Sequence, residues 1–93
     1  MDMKNDTRMR SYGPVPNLSG LKLKVGSKQI RKDLLAGEVN TVYLAQDADP
    51  AITDPIASIA QQMDVTSVWV ESLRALGKAC GIDVGAAAAA VVK

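Results

Sequence analysis

The amino-acid sequence predicts a single α/β domain built in layers. Segments typical of strands alternate along the chain with segments of helical period. The strand–helix–strand unit predicted over residues 41–70 has about the minimum length of a parallel crossover. A chain of 93 residues can bury one core if most of its length contributes to it.

The beginning of the chain differs in composition from the rest. Residues 1–20 are polar and charged, and glycine and proline interrupt them, so we expect a flexible N-terminal arm there. The folded domain is expected over residues 21–93. Its first strand is predicted over 21–25, where leucine or valine alternates with lysine, as in a strand with one buried face.

A helix is predicted directly after this strand. Ser27 is a favourable N-cap residue and Gly37 a favourable C-cap residue, so the helix is expected to extend from Lys28 to Ala36. Its buried stripe is expected to consist of Ile30, Leu34 and Leu35.

Three more elements are predicted in the middle of the chain. Residues 41–45 are typical of a strand covered on both faces. A second helix is expected to begin near Asp54 and Pro55, since proline suits the first helical position. A strand over 67–70 and a helix over 73–79 follow. The buried face of the second helix is expected to contain Ile56, Ile59, Ala60 and Met63.

The alanine-rich end of the chain allows two interpretations. Five alanines and two valines after Gly85 have the propensity of a helix. A strand of small residues packed between helices is the alternative, since alanine lets its neighbours approach closely. We predict a strand, because the layered α/β pattern needs another one there.

The composition excludes several classes of function. Without histidine there is no His-based acid–base pair, no Ser-His-Asp relay and no ordinary zinc site. The single Cys80 forms no internal disulfide, and it is expected to be a small buried hydrophobe. No segment is apolar and long enough for a membrane span or a signal peptide. We therefore expect a soluble cytoplasmic domain without cofactor or metal.

Charge is distributed unevenly along the chain. Residues 1–32 contain eight basic and two acidic side chains, whereas residues 33–93 contain three basic and eight acidic ones. A basic first third favours a polyanionic partner, of which nucleic acid is the commonest. A solubilising arm followed by a solvated helix face is the alternative explanation.

The segment from Gly26 to Lys32 is the first candidate site, since a strand there leads into a helix. Free backbone amides and the helix dipole at such a position favour phosphate, and Lys28 and Lys32 add charge on one face. Gln29 carries the donor and the acceptor that contact with a base edge requires. An ordinary amphipathic helix is the alternative interpretation.

A glycine-rich segment over residues 76–85 is the second candidate site. It fits neither the Walker pattern nor the dinucleotide fingerprint. Ile82 and Val84 lie in this predicted loop, where they either close the core or stack against an apolar surface of a partner. Asp47 and Asp49 are a third candidate, as a metal or acid–base pair, but a turn or cap explains them more simply.

Taken in order, three motifs of this sequence resemble one known family. They are Gly26-Ser27-Lys28-Gln29-x-x-Lys32, then Ala48-Asp49-Pro50, then Leu76-Gly77-Lys78-Ala79-Cys80-Gly81-Ile82. Their order and separations over residues 21–93 resemble the kink-turn RNA-binding family of ribosomal protein L7Ae, and Lys28-Gln29 resembles its bacterial YbxF-like branch.

This resemblance implies a three-layer α/β/α sandwich around a mixed four-stranded sheet. It also implies binding to a kink-turn, a sharply bent RNA internal loop that contains tandem sheared G·A pairs. Lys28 stands where the family pattern has Asn, and Gln29 where it has Glu. The residue before Leu73 is Ser, and a phosphate-binding basic residue that follows Ser in several relatives is Leu73 here. The RNA-binding residues implied are Gly26, Ser27, Lys28, Gln29, Arg31, Lys32, Asp49, Lys78, Ile82, Asp83 and Val84.

Two functions from different classes are compatible with these observations. The first is a non-enzymatic, monomeric RNA-binding protein that stabilises kink-turns in ribosomal, riboswitch or ribonucleoprotein RNA, with no membrane or small-molecule partner. The second is a protein–protein or assembly module that shares the fold and binds RNA only weakly. The first requires that the helix start at Gly26–Lys32 and the loop at Ile82–Val84 share one end of the domain.

Overall fold

The structure is a computed structural model that describes residues 15–93. The described part of the chain folds into seven helices and strands. In chain order these are β1 (Leu23–Lys24), α1 (Ser27–Leu35), β2 (Val39–Ala45), α2 (Pro50–Gln62), β3 (Thr66–Val70), α3 (Leu73–Ala79) and β4 (Ala88–Val92).

The four strands form one mixed sheet in the order β1-β4-β2-β3. Strand β4 lies antiparallel to β1 and to β2, whereas β2 and β3 run parallel to each other and are joined through α2. The predicted parallel crossover over residues 41–70 is therefore confirmed. The register pairs Lys24 with Ala90, Leu44 with Ala88 and Ala45 with Val70.

Helices cover both faces of the sheet, and each face has its own buried core. Ile30 and Leu34 of α1 and Ile56 of α2 pack on one face. Leu76 of α3 and Leu18, which precedes β1, pack on the other. The predicted α/β/α sandwich with a mixed four-stranded sheet is confirmed.

The alanine-rich segment forms strand β4, as predicted, between β1 and β2. Ala88 and Ala90 belong to the core under α1 and α2, and Ala89 belongs to the core under α3. All three are almost completely buried. The period of two shows why helical propensity is overridden: the run buries a methyl group on each face of the sheet in turn.

The buried core extends further towards the N-terminus than the predicted boundary at Leu21. Leu18 is only 2% exposed, and its backbone amide donates to the carbonyl of Ala79 at 2.9 Å. The segment 15–20 therefore packs against α3, because an apolar leucine and a backbone hydrogen bond attach it there. The remainder of the predicted arm, residues 1–14, lies outside the described residues.

Several helix boundaries differ from the prediction. Helix α2 begins at Pro50 instead of near Asp54, because the side chain of Asp49 accepts from the amide of Ala51 and caps it. Pro55 is tolerated inside its first two turns. In α1 the N-cap is Gly26, and Ser27 is the first helical residue instead of the predicted cap.

Three apolar residues predicted to lie on buried faces are exposed. Leu21 is 51% exposed and precedes β1, which contains only Leu23–Lys24 of the strand predicted over 21–25. The other two lie at the ends of helices. Leu35 is 62% exposed at the last position of α1, and Met63 is 38% exposed at the C-cap of α2. Both lie at the end of their helix, so no further turn follows to bring the apolar stripe of the helix back over the core. Ile59 is partly buried against the same core.

Candidate nucleic-acid interface

The two candidate segments lie at the same end of the sheet. Strand β1 leads through Gly26 into α1, and β4 begins at Ala88 directly after the α3–β4 loop, residues 80–87. Because β1 and β4 are antiparallel neighbours, the end of β1 and the beginning of β4 lie at the same end of the sheet. Strands β2 and β3 also end there, at Ala45 and Val70.

The N-terminal end of α1 has no side-chain cap. Gly26 accepts the first helical bond from the amide of Ile30 at 2.9 Å, but no side chain of the described part bonds the first amides of the helix. Helices α2 and α3 are capped by Asp49 and Ser72, by contrast. The first turn of α1 therefore offers backbone donors and the positive end of the helix dipole to an anion.

Basic side chains surround this helix start. Lys28, Arg31 and Lys32 are all exposed, and none forms an ion pair with an acidic group of residues 15–93. The helix buries Ile30 and Leu34 on its opposite side. The basic face of α1 thus combines three unpaired cations with free backbone amides.

The side chain of Gln29 belongs to the same surface and is exposed. Its amide nitrogen Nε2 donates to Oδ1 of Asp33, one helical turn further on, at 2.9 Å. Its oxygen Oε1 has no hydrogen-bond partner within residues 15–93. An acceptor is therefore left available beside the cations of α1.

The α3–β4 loop is held against α3 by backbone contacts. The amide of Ile82 donates to the carbonyl of Gly77 at 3.1 Å, and the amide of Ala86 donates to the carbonyl of Leu73 at 3.0 Å. Gly81 turns the chain with a φ of 80°, a conformation that favours glycine. These bonds hold the loop while its apolar side chains face solvent: Ile82 is 37% and Val84 69% exposed.

A cleft of about 480 Å³ lies between α3 and this loop. One wall carries the basic side chains of Arg74 and Lys78, and the other carries Ile82 and Val84. The full lining is Asp47, Leu73, Arg74, Lys78, Ile82, Asp83, Val84 and Gly85. The lining thus combines apolar side chains with two basic residues, Arg74 and Lys78, and two acidic residues, Asp47 and Asp83.

Arg74 is a charged member of this surface that the sequence did not indicate. It lies four residues before Lys78, so both project from one face of α3. That spacing was the available signal. Leu73 lies in the cleft beside Arg74, at the position that the family resemblance associates with a basic residue.

Asp47 and Asp49 act as capping groups. Oδ1 of Asp47 accepts from the amide of Leu73 at 2.7 Å, and Oδ1 of Asp49 accepts from the amide of Ala51 at 2.9 Å. The turn-and-cap interpretation is therefore confirmed for both. The bond from Asp47 also joins the β2–α2 connection to the start of α3, which places it in the framework of the cleft.

The other reactive or aromatic side chains do not form a further site in the described part of the chain. Cys80 is buried as predicted, and burial raises the pKa of its thiol. Trp69 is partly buried against the core under α1 and α2. Within residues 15–93, no three His, Cys, Asp or Glu side chains come together as a metal site would require, and no helix is long and apolar enough to cross a bilayer.

Comparison with known families decides the relationship. The model of the Ribosomal protein L7Ae/L30e/S12e/Gadd45 family matches residues 17–93. The chain belongs to this family. The resemblance inferred from its three motifs is confirmed, and the match begins close to Leu18, where the buried core begins.

Bacterial RNA-binding proteins are among the similar sequences. An RNA-binding protein of Bacillus pumilus (strain SAFR-032) is 46% identical over 68 residues, which cover 73% of this chain and 83% of that protein. The RNA-binding protein YbxF of Geobacillus stearothermophilus is 40% identical over 72 residues, covering 77% of this chain and 88% of that protein.

Solved structures of similar proteins share the fold. The 15.5kD RNA binding protein of Giardia lamblia superimposes with a TM-score of 0.73 at 30% identity, over 77% of this chain and 61% of that one. A protein of unknown function from Bacillus halodurans superimposes with a TM-score of 0.71 at 22% identity, over 77% of this chain and 72% of that one. The second likeness concerns the fold alone.

Proposed function

We propose that this L7Ae-family chain is a non-enzymatic RNA-binding protein that recognises kink-turns and stabilises their bent form. The observation that carries the proposal is the placement of two different surfaces at one end of the sheet. These are the uncapped basic start of α1 and the exposed apolar α3–β4 loop with its cleft. The names of the bacterial relatives and of the Giardia protein support RNA as the partner.

The start of α1 is suited to the phosphates of a sharply bent RNA. Bending brings phosphates together, and their repulsion opposes the bent form. Lys28, Arg31 and Lys32 are exposed and unpaired within residues 15–93, so they are available to offset that repulsion. The amides of Gly26 and Ser27 and their successors add donors that approach the backbone of the RNA closely.

Base recognition is assigned to Gln29 together with Lys28. Both side chains are exposed at the first turn of α1, where the groove at the G·A pairs would lie. Lys28 supplies donors only, whereas Gln29 supplies an acceptor through its free oxygen. Phosphate contacts position the protein, and these two side chains would make it selective.

The cleft beside α3 is suited to a nucleotide extruded from the bend. Ile82 and Val84 offer apolar surface to a base, and Arg74 and Lys78 lie where they can meet its phosphate. Asp83 lies beside them in the same loop. Asp49 caps α2 and is not among the residues that line the cleft. It keeps one carboxylate oxygen free of its capping bond to Ala51, and we assign this oxygen as an acceptor for the extruded base on the strength of the family resemblance.

Stabilisation follows from selective binding to one conformation. A free kink-turn exchanges between open and bent forms, and a protein that binds the bent form alone shifts the population by its differential affinity. No covalent step is required. We assign this role to a monomer in the cytoplasm, acting on ribosomal or riboswitch RNA without cofactor or metal.

The test is a calorimetric titration of the full chain with two RNA duplexes. One contains a kink-turn, and the other is identical except that its G·A pairs are replaced by Watson–Crick pairs. We expect at least tenfold tighter binding to the kink-turn, and fluorescence energy transfer between the duplex ends should report bending on addition of protein. Equal affinity for both duplexes would overturn the proposal.

A further inference from the structure

We infer that Asp33 is a positioning residue for RNA recognition, which holds the Gln29 amide so that its oxygen, and not its nitrogen, is offered to the bases. The inference rests on the proposed function and deepens it. It concerns whether the Gln29 amide presents a donor or an acceptor to the RNA, since its NH₂ group and its oxygen are nearly identical in shape.

The hydrogen bond between the two side chains defines the orientation of the amide. Nε2 of Gln29 lies 2.9 Å from Oδ1 of Asp33. A carboxylate only accepts hydrogen bonds, so the group that faces it must be the NH₂ of the amide. Oε1 then lies on the other side of the amide carbon and is left without a partner within residues 15–93.

Without this bond a glutamine is ambiguous. Its amide can turn by half a rotation and present either an oxygen acceptor or two N–H donors to the same partner. Asp33 removes that ambiguity before RNA binds, so no binding energy is spent on selecting the orientation. A charge-assisted bond is also stronger than a neutral one, which favours the single orientation further.

The environment of Asp33 indicates a role other than ion pairing. Its Oδ2 is buried and has no hydrogen-bond partner among residues 15–93, and no cation of that range pairs with the carboxylate. The amide of Gln29 is therefore its side-chain partner in the described part of the chain. Burying such an oxygen does not favour folding, so we expect little loss of stability when Asp33 is removed.

An amide held in this way selects guanine chemically. Guanine carries an exocyclic N2 amine that donates, whereas inosine is the same base without that amine. An outward Oε1 accepts a hydrogen bond from this amine, and the bond is lost with inosine. An amide that turns freely can change its orientation, so its binding depends less on the amine. A carboxylate at position 29 would also accept, but it would lie one turn from Asp33 as a like charge, which is unfavourable. Gln29 and Asp33 are in this sense a matched pair.

The experiment combines one RNA change with one protein change. Each guanine of the G·A pairs is replaced in turn by inosine. The affinities of wild type and Asp33→Ala for the parent RNA and for each inosine RNA are measured by titration. We expect inosine at the contacted guanine to lower the affinity of wild type about fivefold to tenfold, and that of Asp33→Ala about twofold or less. Inosine also changes the RNA itself, but this effect is the same for both proteins. It therefore cancels when the loss of affinity of wild type is divided by that of Asp33→Ala.

Two further variants separate positioning from a general structural effect. Asp54→Ala removes an exposed acidic residue of α2, and we expect it to retain the wild-type ratio. The double variant Gln29→Glu with Asp33→Ala places an acceptor at position 29 that needs no partner, and we expect the discrimination to return. Thermal unfolding of each variant should give a melting temperature within a few degrees of wild type.

A readout without RNA completes the design. In wild type the NMR signals of the Gln29 NH₂ group should show a nuclear Overhauser contact to the side chain of Asp33 and a shift that Asp33→Ala abolishes. If wild type prefers the kink-turn but Asp33→Ala discriminates guanine from inosine equally well, the inference is wrong and the proposed function stands. If wild type shows no preference for the kink-turn, both are overturned.

Discussion

The carbonyl group of Val84 lies directly against the α-carbon of Gly77. A Cβ at residue 77 would overlap this carbonyl oxygen, and a side chain there would also approach Gly85. Gly77 lies inside α3, where glycine is unfavourable by roughly 1 kcal/mol relative to alanine. The close approach of the loop to the helix is the structural reason for this glycine, and it places the exposed Val84 beside the cleft.

Gly77→Ala should therefore lower stability despite its better helical propensity. We expect the overlap with Val84 to exceed the gain, with a net loss of about 1–3 kcal/mol in the free energy of unfolding by urea. Because the loop must move, affinity for kink-turn RNA should fall as well. Ser58→Ala, at an exposed position of α2, is the control and should leave both unchanged. An unaltered or higher stability of Gly77→Ala would show that the loop yields without cost.

Asp47→Ala removes the acceptor for the amide of Leu73. The bond is short, 2.7 Å, and joins two connections that are 26 residues apart in sequence. We expect a loss of about 1 kcal/mol in the free energy of unfolding, comparable with the loss of a helix cap. Glu71→Ala removes another exposed acid from the start of α3 and is the matched control. Equal destabilisation by the two substitutions would point to charge instead of the hydrogen bond.

Lys32→Ala tests the electrostatic part of the interface. We expect weaker binding both to a kink-turn and to an unrelated duplex, and a slope of log K against log salt that is smaller by about 0.7–0.9. Lys93→Ala is the control, since Lys93 follows β4 and its amide bonds the carbonyl of Glu38 at the opposite end of the sheet. A salt slope that changes equally in both variants would place the RNA elsewhere.

Val84→Ser tests the apolar part of the interface. With 69% of its surface exposed, Val84 contributes little to the core, so stability should change by less than about 0.5 kcal/mol. Affinity for a kink-turn with an extruded nucleotide should nevertheless fall severalfold. Leu35→Ser removes a similarly exposed side chain, 62% accessible, from the far end of α1 and should bind normally. The same loss in both variants would contradict a contact at Val84.

Most of the individual strands and helices could be predicted because their patterns are local, whereas the three-layer sandwich and the mixed four-stranded sheet were implied by the family resemblance. The alternation around Leu23 and the period of the α1 stripe identify a strand and a helix without any tertiary knowledge. The alanine strand β4 was predicted only through the requirement of the layered fold for another strand. Its propensity alone indicates a helix.

The differences have tertiary or competitive causes. Leu18 is buried because α3 offers it a backbone acceptor at Ala79, which no pattern within residues 15–20 reveals. Asp49 competes with Asp54 as a cap, and the earlier residue prevails because its side chain reaches the amide of Ala51. Arg74 joins the cleft only when the α3–β4 loop folds back on its helix. Such contacts between distant segments are not encoded in periodicity.

Strand β4 carries a consequence for how this chain tolerates mutation. Its central side chains are methyl groups that face a packed helical layer on each side of the sheet. Most cores are destabilised when a side chain is made smaller, but here each alanine has only one methyl group left to remove. A saturation scan of Ala88, Ala89 and Ala90 should show intolerance to added volume at all three, costing about 1–3 kcal/mol for each valine or leucine, with glycine milder. The strand with the smallest side chains in the described domain would then be the strand that tolerates the fewest substitutions.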